Sequence, residues 1–320
     1  MRGVSEWLER LVAAGKPSTF VTFRHRPKLD LRRHPSWVPD QRHDTAILMQ
    51  GPIVEKDNFT AETVARYRLN FPGAPVVVST WTEYHGSTTR SIENLGAVVV
   101  FQEPPTNAGV SNVNLQIAST AAGLRAIQDY DVTHVIKSRT DQRMYSESAL
   151  GVLHAMSSTF PIHSDSTVQS ERLVGISLDT FAYRMYGLSD MFMFGAKADM
   201  SRYWDRPLDP RQPEDAPGTS SHRQVAHART PEVLLCSEFL EATQWELQWS
   251  LADSWSALAQ RFIVIDSHSL DILWPKYTSR EERWRSYDGN PQFKEIDFGL
   301  WLQLYTGTLV ADETVLDLRW

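Results

Sequence analysis

Residues 134–145 read HVIKSRTDQRMY, an apolar run that ends in Lys137, Arg139, Asp141 and Arg143, one carboxylate among three cations. Guanidinium and ammonium groups at this density suit phosphate oxygens, which accept charge-assisted and often bidentate hydrogen bonds. Three other short stretches also place hydrogen-bonding groups directly after an apolar run. These are Gln50-Gly51-Pro52, Ser79-Thr80-Trp81 and Gln102-Glu103, and Trp81 adds a stacking face. Together they describe a crevice for something flat, polar and anionic, such as a nucleotide diphosphate. Trp81 reads equally well as ordinary core. Farther on, Asn112, Asn114 and Gln116 fall within five positions, too many amides for one buried helix face. Asn114 as a group facing a sugar or ribose competes evenly with Asn112 as a helix cap.

Such groups need elements to hold them. TAILMQGPI, APVVVSTW, AVVVFQEP and VTHVIKSRTD are apolar runs that end at turn or charged residues, as strands buried on both faces do. Between them TAETVARYRLNF, RSIENLG and NVNLQIASTAAGLRAIQDY have helical spacing, the first with Thr60 as its expected N-cap. Strands alternating with helices imply right-handed βαβ units and a mostly parallel α/β sheet. Open sheets of this kind bind ligands at the carboxyl ends of their strands, where all four polar stretches fall. No GxGxxG and no GxxxxGK[ST] follows the first strand, which disfavours a dinucleotide site or a P-loop.

The second half is less periodic and more helical. SESALGVLHAMSSTF, PEVLLCSEFLEAT and WELQWSLADSWSALAQRF are expected helices; RLVGIS, DMFMFG and FIVIDSHSLDIL are expected strands. Residues 205–230, rich in proline, charge and small polar groups, are expected to form a long loop or lid. His222 and His227 within it could close over a ligand or hold a metal, although exposed loop histidines are more often bystanders.

Composition narrows the function classes. The chain has 320 residues, 42% hydrophobic, with a formal net charge of −7, which argues against a nucleic-acid protein relying on bulk positive charge. Its one cysteine, Cys236, allows no internal disulfide. The start MRGVSEWLERLVAAGKP lacks the continuous apolar core of a secretory leader, and no run approaches the roughly 20 apolar residues of a membrane span. A cytoplasmic protein is expected. Residues 1–44 stand apart: a short helix from Glu6 to Ala14, then Arg24, Arg26, Lys28, Arg32 and Arg33 in close succession. They read either as a solvated arm or edge strand, or as a contact with a partner or with the anionic inner face of the plasma membrane. Residues 45–320 are expected to form one domain, with a nucleotide-binding half at 45–145 and an acceptor half at 146–320.

The blocks LMQGPI, FPGAPVVVSTW, NVNLQIASTAAGL, KSRTDQR and SDMFMFG occur in order and resemble those of the WavE-type lipopolysaccharide-synthesis proteins. The resemblance is good over residues 45–200 and looser beyond. It implies a GT-A-like, Rossmann-like glycosyltransferase that takes a nucleotide-sugar donor and a glycan or lipid-linked acceptor in cell-surface polysaccharide synthesis. GT-A enzymes usually carry Asp-x-Asp after the fourth strand to hold a divalent cation on the donor diphosphate. Here the stretch is Arg139-Thr140-Asp141, so a cation occupies the first carboxylate position. Either Asp141 holds Mg²⁺ or Mn²⁺ with phosphate and water, or Lys137, Arg139 and Arg143 neutralise the diphosphate without metal. The bland alternative is an Asp141 ion pair with a neighbouring arginine. An inverting transfer also needs a base for the acceptor hydroxyl. Asp190, an acid entering an apolar strand, is the first candidate, and Glu232 after Pro231 the second. The competing classes are a nucleotidyltransferase, which usually carries a glycine-rich basic loop after strand one that QGPIVEKDN does not provide, and a non-catalytic sugar-binding subunit.

Overall fold

The computed structural model describes residues 26–28, 31, 42–162, 168–215, 220–277 and 294–319. The chain divides into Met1–His34 and Pro35–Trp320. The expected helix at Glu6–Ala14 and the cations Arg24, Arg32 and Arg33 lie outside the described residues.

The second unit is an α/β fold on a seven-stranded, mostly parallel sheet. Its first strands are β1 (Thr45–Gln50), β2 (Val76–Trp81) and β3 (Val98–Gln102). They alternate with α1 (Phe59–Asn70), α2 (Ser87–Asn94) and α3 (Val113–Ile127). Then come β4 (His134–Arg139), the two-residue β5 (Arg143–Met144) and α4 (Ala149–Thr159). The second half contributes β6 (Leu173–Ile176), β7 (Met193–Ala196) and α5 (Lys197–Trp204). It continues with α6 (His222–Ala228), α7 (Pro231–Ala242), α8 (Leu251–Arg261), β8 (Phe262–Ile265), β9 (Ile272–Leu273) and α9 (Phe298–Tyr305). The strand order is β3-β2-β1-β4-β7-β6-β8, and β5 pairs with β9 in a separate two-stranded ribbon.

Helices cover both faces because every residue of β1 and β2 is buried. Strand alternation assigns the faces. Lys137 points to α5, its ammonium 4.3 Å from the Trp204 ring centre, while its neighbour Ser138 hydrogen-bonds Tyr67 of α1 on the opposite side. Gly123 lets α3 lie directly on β1: a Cβ there would come within 2.2 Å of the Leu48 side chain.

β7 runs antiparallel to both β4 and β6, and this decides where the chemistry gathers. Met193 pairs with Lys137, so the chain enters β7 at the edge where β4 leaves the sheet. Asp190 therefore arrives beside the carboxyl ends of β1, β2 and β4. β6 points the same way as β4, so the turn-rich connection after it opens on that edge too.

Several expected elements shift. The helix expected from Trp245 begins at Leu251, because residues 245–249 curl around Asp253. That carboxylate accepts from Trp245 Nε1 and Gln248 N, and Trp249 adopts a left-handed φ of 52°. FIVIDSHSLDIL splits into β8 and β9 across a short 3-10 turn that ends at Asp271, itself at φ 45°. Thr60 is not a cap but sits inside α1, where its hydroxyl donates to the Thr140 carbonyl and accepts from Val54 N.

Candidate active site at the carboxyl edge of the sheet

A cavity of about 550 Å³ opens at this edge, within the roughly 300–1,000 Å³ range of small-molecule sites. Gln50, Gly51 and Pro52 line it from the end of β1, Trp81 from β2 and Arg139 from β4. Gly51 turns the chain out of β1 at φ 122°, a conformation side-chain-bearing residues rarely adopt. Ser111, Asn112, Leu115 and Gln116 contribute the start of α3. Ser111 and Asn112 are both left-handed, at φ 51° and 65°, and Asn112 makes no side-chain capping bond. Asp179, Phe181 and Arg184 come from the β6–β7 connection, Asp190 and Met191 from the entry to β7, and His222 and Val225 from α6. Thr230, Pro231 and Glu232 from the start of α7, with Trp274 and Lys276 after β9, complete the wall.

Three acidic residues line this space, Asp179, Asp190 and Glu232, the last two from separate elements. Asp190 is 4% exposed, and its carboxylate has no hydrogen-bond or ion-pair partner among the described residues. Its backbone carbonyl accepts from the buried Lys137 ammonium. Burial pushes that ammonium down to about 7, against the stabilising charge of Asp190. Glu232 follows Pro231 at the first turn of α7, where proline is pre-organised and an acid suits the helix dipole. Burial pushes its carboxyl up to about 7, the Arg184 guanidinium opposes the rise, and Asp190 and Asp179 add to it. Arg184 Nη1 lies 3.4 Å from Glu232 Oε2, and Nη2 donates to the Asp179 carbonyl. Asp179 is held at φ 67°, an unfavourable backbone for a non-glycine residue.

The basic knot resolves differently from its sequence. Arg139 grips Asp141 bidentately, Nε to Oδ1 at 2.8 Å and Nη2 to Oδ2 at 3.1 Å, with its guanidinium 5.2 Å from the Trp274 ring centre. Burial alone would raise the Asp141 carboxyl. Hydrogen bonds and charge from Arg139, with a bond from Trp274, instead bring it below the ordinary carboxylate range. Asp141 does not line the cavity. With both oxygens engaged it does not fit a divalent cation, and no group of three His, Cys, Asp or Glu side chains among the described residues is arranged to hold one.

The chain matches the family model for WavE lipopolysaccharide synthesis over residues 45–318. It belongs to the WavE family. The match runs well past the blocks legible by eye, which thin out near residue 200. No curated protein matches the chain. Among solved structures it is similar to a cytidylyltransferase from Leptospira borgpetersenii, at 10% identity and TM-score 0.37, covering 86% of this chain and 98% of that one. It is also similar to HddC from Yersinia pseudotuberculosis, at 13% identity and TM-score 0.31, covering 53% and 82%.

Several residues expected at the WavE crevice serve elsewhere. Arg143 is buried against α1: its guanidinium donates to Thr63 Oγ1 and the Phe59 carbonyl and lies 3.6 Å from Glu62. Two residues beyond Asp141 the chain has left the sheet edge for the β5–β9 ribbon, which carries Arg143 under the opposite face. Lys137 lies behind Asp190 and outside the cavity lining. Ser79 and Thr80 are fully buried. Asn114 is fully buried and clamps a loop, donating to the Asn107 and Asp209 carbonyls and accepting from Asp209 N. Those bonds, with Arg211 donating to the Ala228 and Arg229 carbonyls, pin the first part of the expected lid.

Other lining residues were not foreseen. Asp179, Arg184, Trp274 and Lys276 follow β6 and β9, so the strand-end rule that found Gln50 and Trp81 would have reached them in the second half too. His222 is not a bystander: it is buried in the wall, and burial pushes its imidazole down to about 4. His227 is exposed, as expected.

Proposed function

We propose that this WavE protein is a glycosyltransferase that moves a sugar from a nucleotide-sugar donor to a hydroxyl of a glycan or lipid-linked acceptor in cell-surface polysaccharide assembly. The observation that carries this reading is the pair Asp190 and Glu232, brought from separate elements to one cavity that also holds Gln50, Trp81 and Arg139. A carboxyl near 7 is suited to exchange protons at neutral pH.

Glu232 is assigned as the base. It takes the acceptor hydroxyl proton as the acceptor oxygen bonds to the anomeric carbon and the bond from that carbon to the diphosphate breaks. The nucleoside diphosphate leaves, and direct displacement inverts the anomeric centre. Asp190 orients the acceptor and keeps Glu232 basic through like-charge repulsion. The base of the donor is assigned to Trp81 and the Ser111–Gln116 segment. Charge developing on the diphosphate is met by Arg139, Arg184, Lys276 and the amino end of α3.

Donor binding is tested by thermal shift with UDP-, GDP-, CDP- and CMP-sugars, and turnover by nucleoside diphosphate release in the presence of acceptor glycans. A stabilising donor and acceptor-dependent release are expected. Stabilisation by no nucleotide, or pyrophosphate release from a nucleoside triphosphate and a sugar 1-phosphate, would replace this reading with another.

A further inference from the structure

Arg184 has more to do than hold a loop. Phe181 packs under its guanidinium at 4.8 Å. Gly187 leaves its stem room on another side, since a Cβ there would come within 2.6 Å of Arg184. The side chain is thus confined, 11% exposed, with Nη1 on Glu232 and Nη2 on the Asp179 carbonyl. Its Nε is buried without a hydrogen-bond partner among the described residues, although Arg184 lines the cavity. A guanidinium holding one carboxylate at 3.4 Å, with a spare donor and an open cavity beside it, has binding capacity that the fold does not use.

Resting on the glycosyltransferase reading, we infer that Arg184 is a shared cation: it pairs with Glu232 while that carboxylate is charged, and its charge passes to the departing diphosphate once Glu232 has taken the acceptor's proton. The balance is simple. The acceptor proton moves to Glu232 Oε and neutralises it. The bond from the anomeric carbon to the phosphate oxygen breaks with its electron pair on the diphosphate. Arg184 stays protonated throughout and exchanges one anion for another. Proton transfer and leaving-group stabilisation become one linked event, and the linkage is reciprocal.

It follows that a nucleoside diphosphate binds more tightly when Glu232 is protonated. Other groups face the same carboxylate. Asp179 and Asp190 flank it, Tyr203 of α5 is near it, and Lys137 lies behind Asp190. His222, Arg139 and Lys276 share the cavity wall. Lys137 also titrates near 7, and so does the ligand's terminal phosphate. A Glu232→Gln protein carries both of these unchanged, so the difference between the two proteins isolates Glu232.

The experiment is calorimetric titration of the full chain with UDP, GDP and CDP at pH 6 and pH 8. Wild type is expected to bind the preferred diphosphate about tenfold more tightly at pH 6 than at pH 8, beyond any change in Glu232→Gln. Glu232→Gln should match wild type at pH 6 and, at pH 8, lose only what Lys137 and the ligand's own phosphate impose. Arg184→Gln should bind weakly at both pH values with the excess over Glu232→Gln abolished, and Arg184→Lys, which keeps the cation, should retain most of that excess. A wild-type pH dependence no larger than that of Glu232→Gln, or an excess over it that survives in Arg184→Gln, overturns the inference while leaving the glycosyltransferase reading intact. Absence of binding by all three diphosphates overturns both.

Discussion

At the scale of single residues, two groups of opposite sign, Glu232 and Lys137, are both shifted to about 7 chiefly by burial. Glu232 is raised to about 7 chiefly by burial, and Asp190 adds to the rise. Its ionised form is the base, so the acceptor-dependent rate should climb with pH through about 7 and level off above. Removing the Asp190 charge removes part of the repulsion, so Asp190→Asn should move that limb to lower pH in a kcat/KM profile. Glu232→Gln should lower kcat by about 10²–10⁴-fold with donor affinity kept, measured by single-turnover kinetics. Lys137 gives the complementary stability signal. Its folded value is depressed to about 7 from 10.5, so its contribution is complete above 10.5 and is lost as pH falls through about 7. Lys137→Met escapes that loss. Its Tm relative to wild type should rise as pH drops from 8 to 6; a difference independent of pH would contradict a buried, titrating ammonium.

At the scale of elements, the β1–β4 half was legible because its strands are short, apolar and punctuated. Gln50, Gly51, Pro52, Trp81 and Arg139 all reach the cavity as the strand-end rule requires. That rule fixes a residue's position along the sheet, not the direction its chain takes next. Arg143 shows this, since the β5–β9 pairing carries it to α1 instead of to phosphate. Asn114 shows it again, because amide density at a helix start does not reveal whether a ligand or a passing loop will claim the hydrogen bonds. The entry to β7 was hidden for another reason. An antiparallel strand inserted between parallel neighbours has no sequence period of its own, so nothing in DMFMFG announces that Asp190 stands at the same edge as Arg139. Arg143 offers a clean test of element against site. Arg143→Leu strands Glu62 and removes three donated bonds, and should cost about 3 kcal/mol by urea denaturation. Nucleotide affinity should stay within about twofold. Loss of affinity without loss of stability would return Arg143 to the phosphate site.

At the scale of the whole molecule, the net charge of −7 coexists with a local cluster of cations that sequence sums conceal. Arg139 secures its own loop through Asp141, and we propose on that ground that the diphosphate is neutralised without a metal. Chelation with EDTA should therefore leave turnover within about twofold, whereas a cation at the diphosphate would make it fall by several kcal/mol of transition-state stabilisation. No helix among the described residues is long and apolar enough to cross a membrane. Contact with a lipid-linked acceptor is proposed for the basic stretch of Met1–His34. Removing residues 1–34 should weaken binding to anionic vesicles at low salt and leave nucleotide affinity unchanged.

The central claim is that Asp190 and Glu232 serve glycosyl transfer in one cavity. Its most direct measurement is acceptor-dependent nucleoside diphosphate release by wild type, Asp190→Asn and Glu232→Gln with the donor identified by thermal shift. Wild type should release nucleoside diphosphate, Glu232→Gln should lose about a hundredfold or more, Asp190→Asn should lose less, and both variants should retain donor binding. Undiminished release in both variants would contradict that claim.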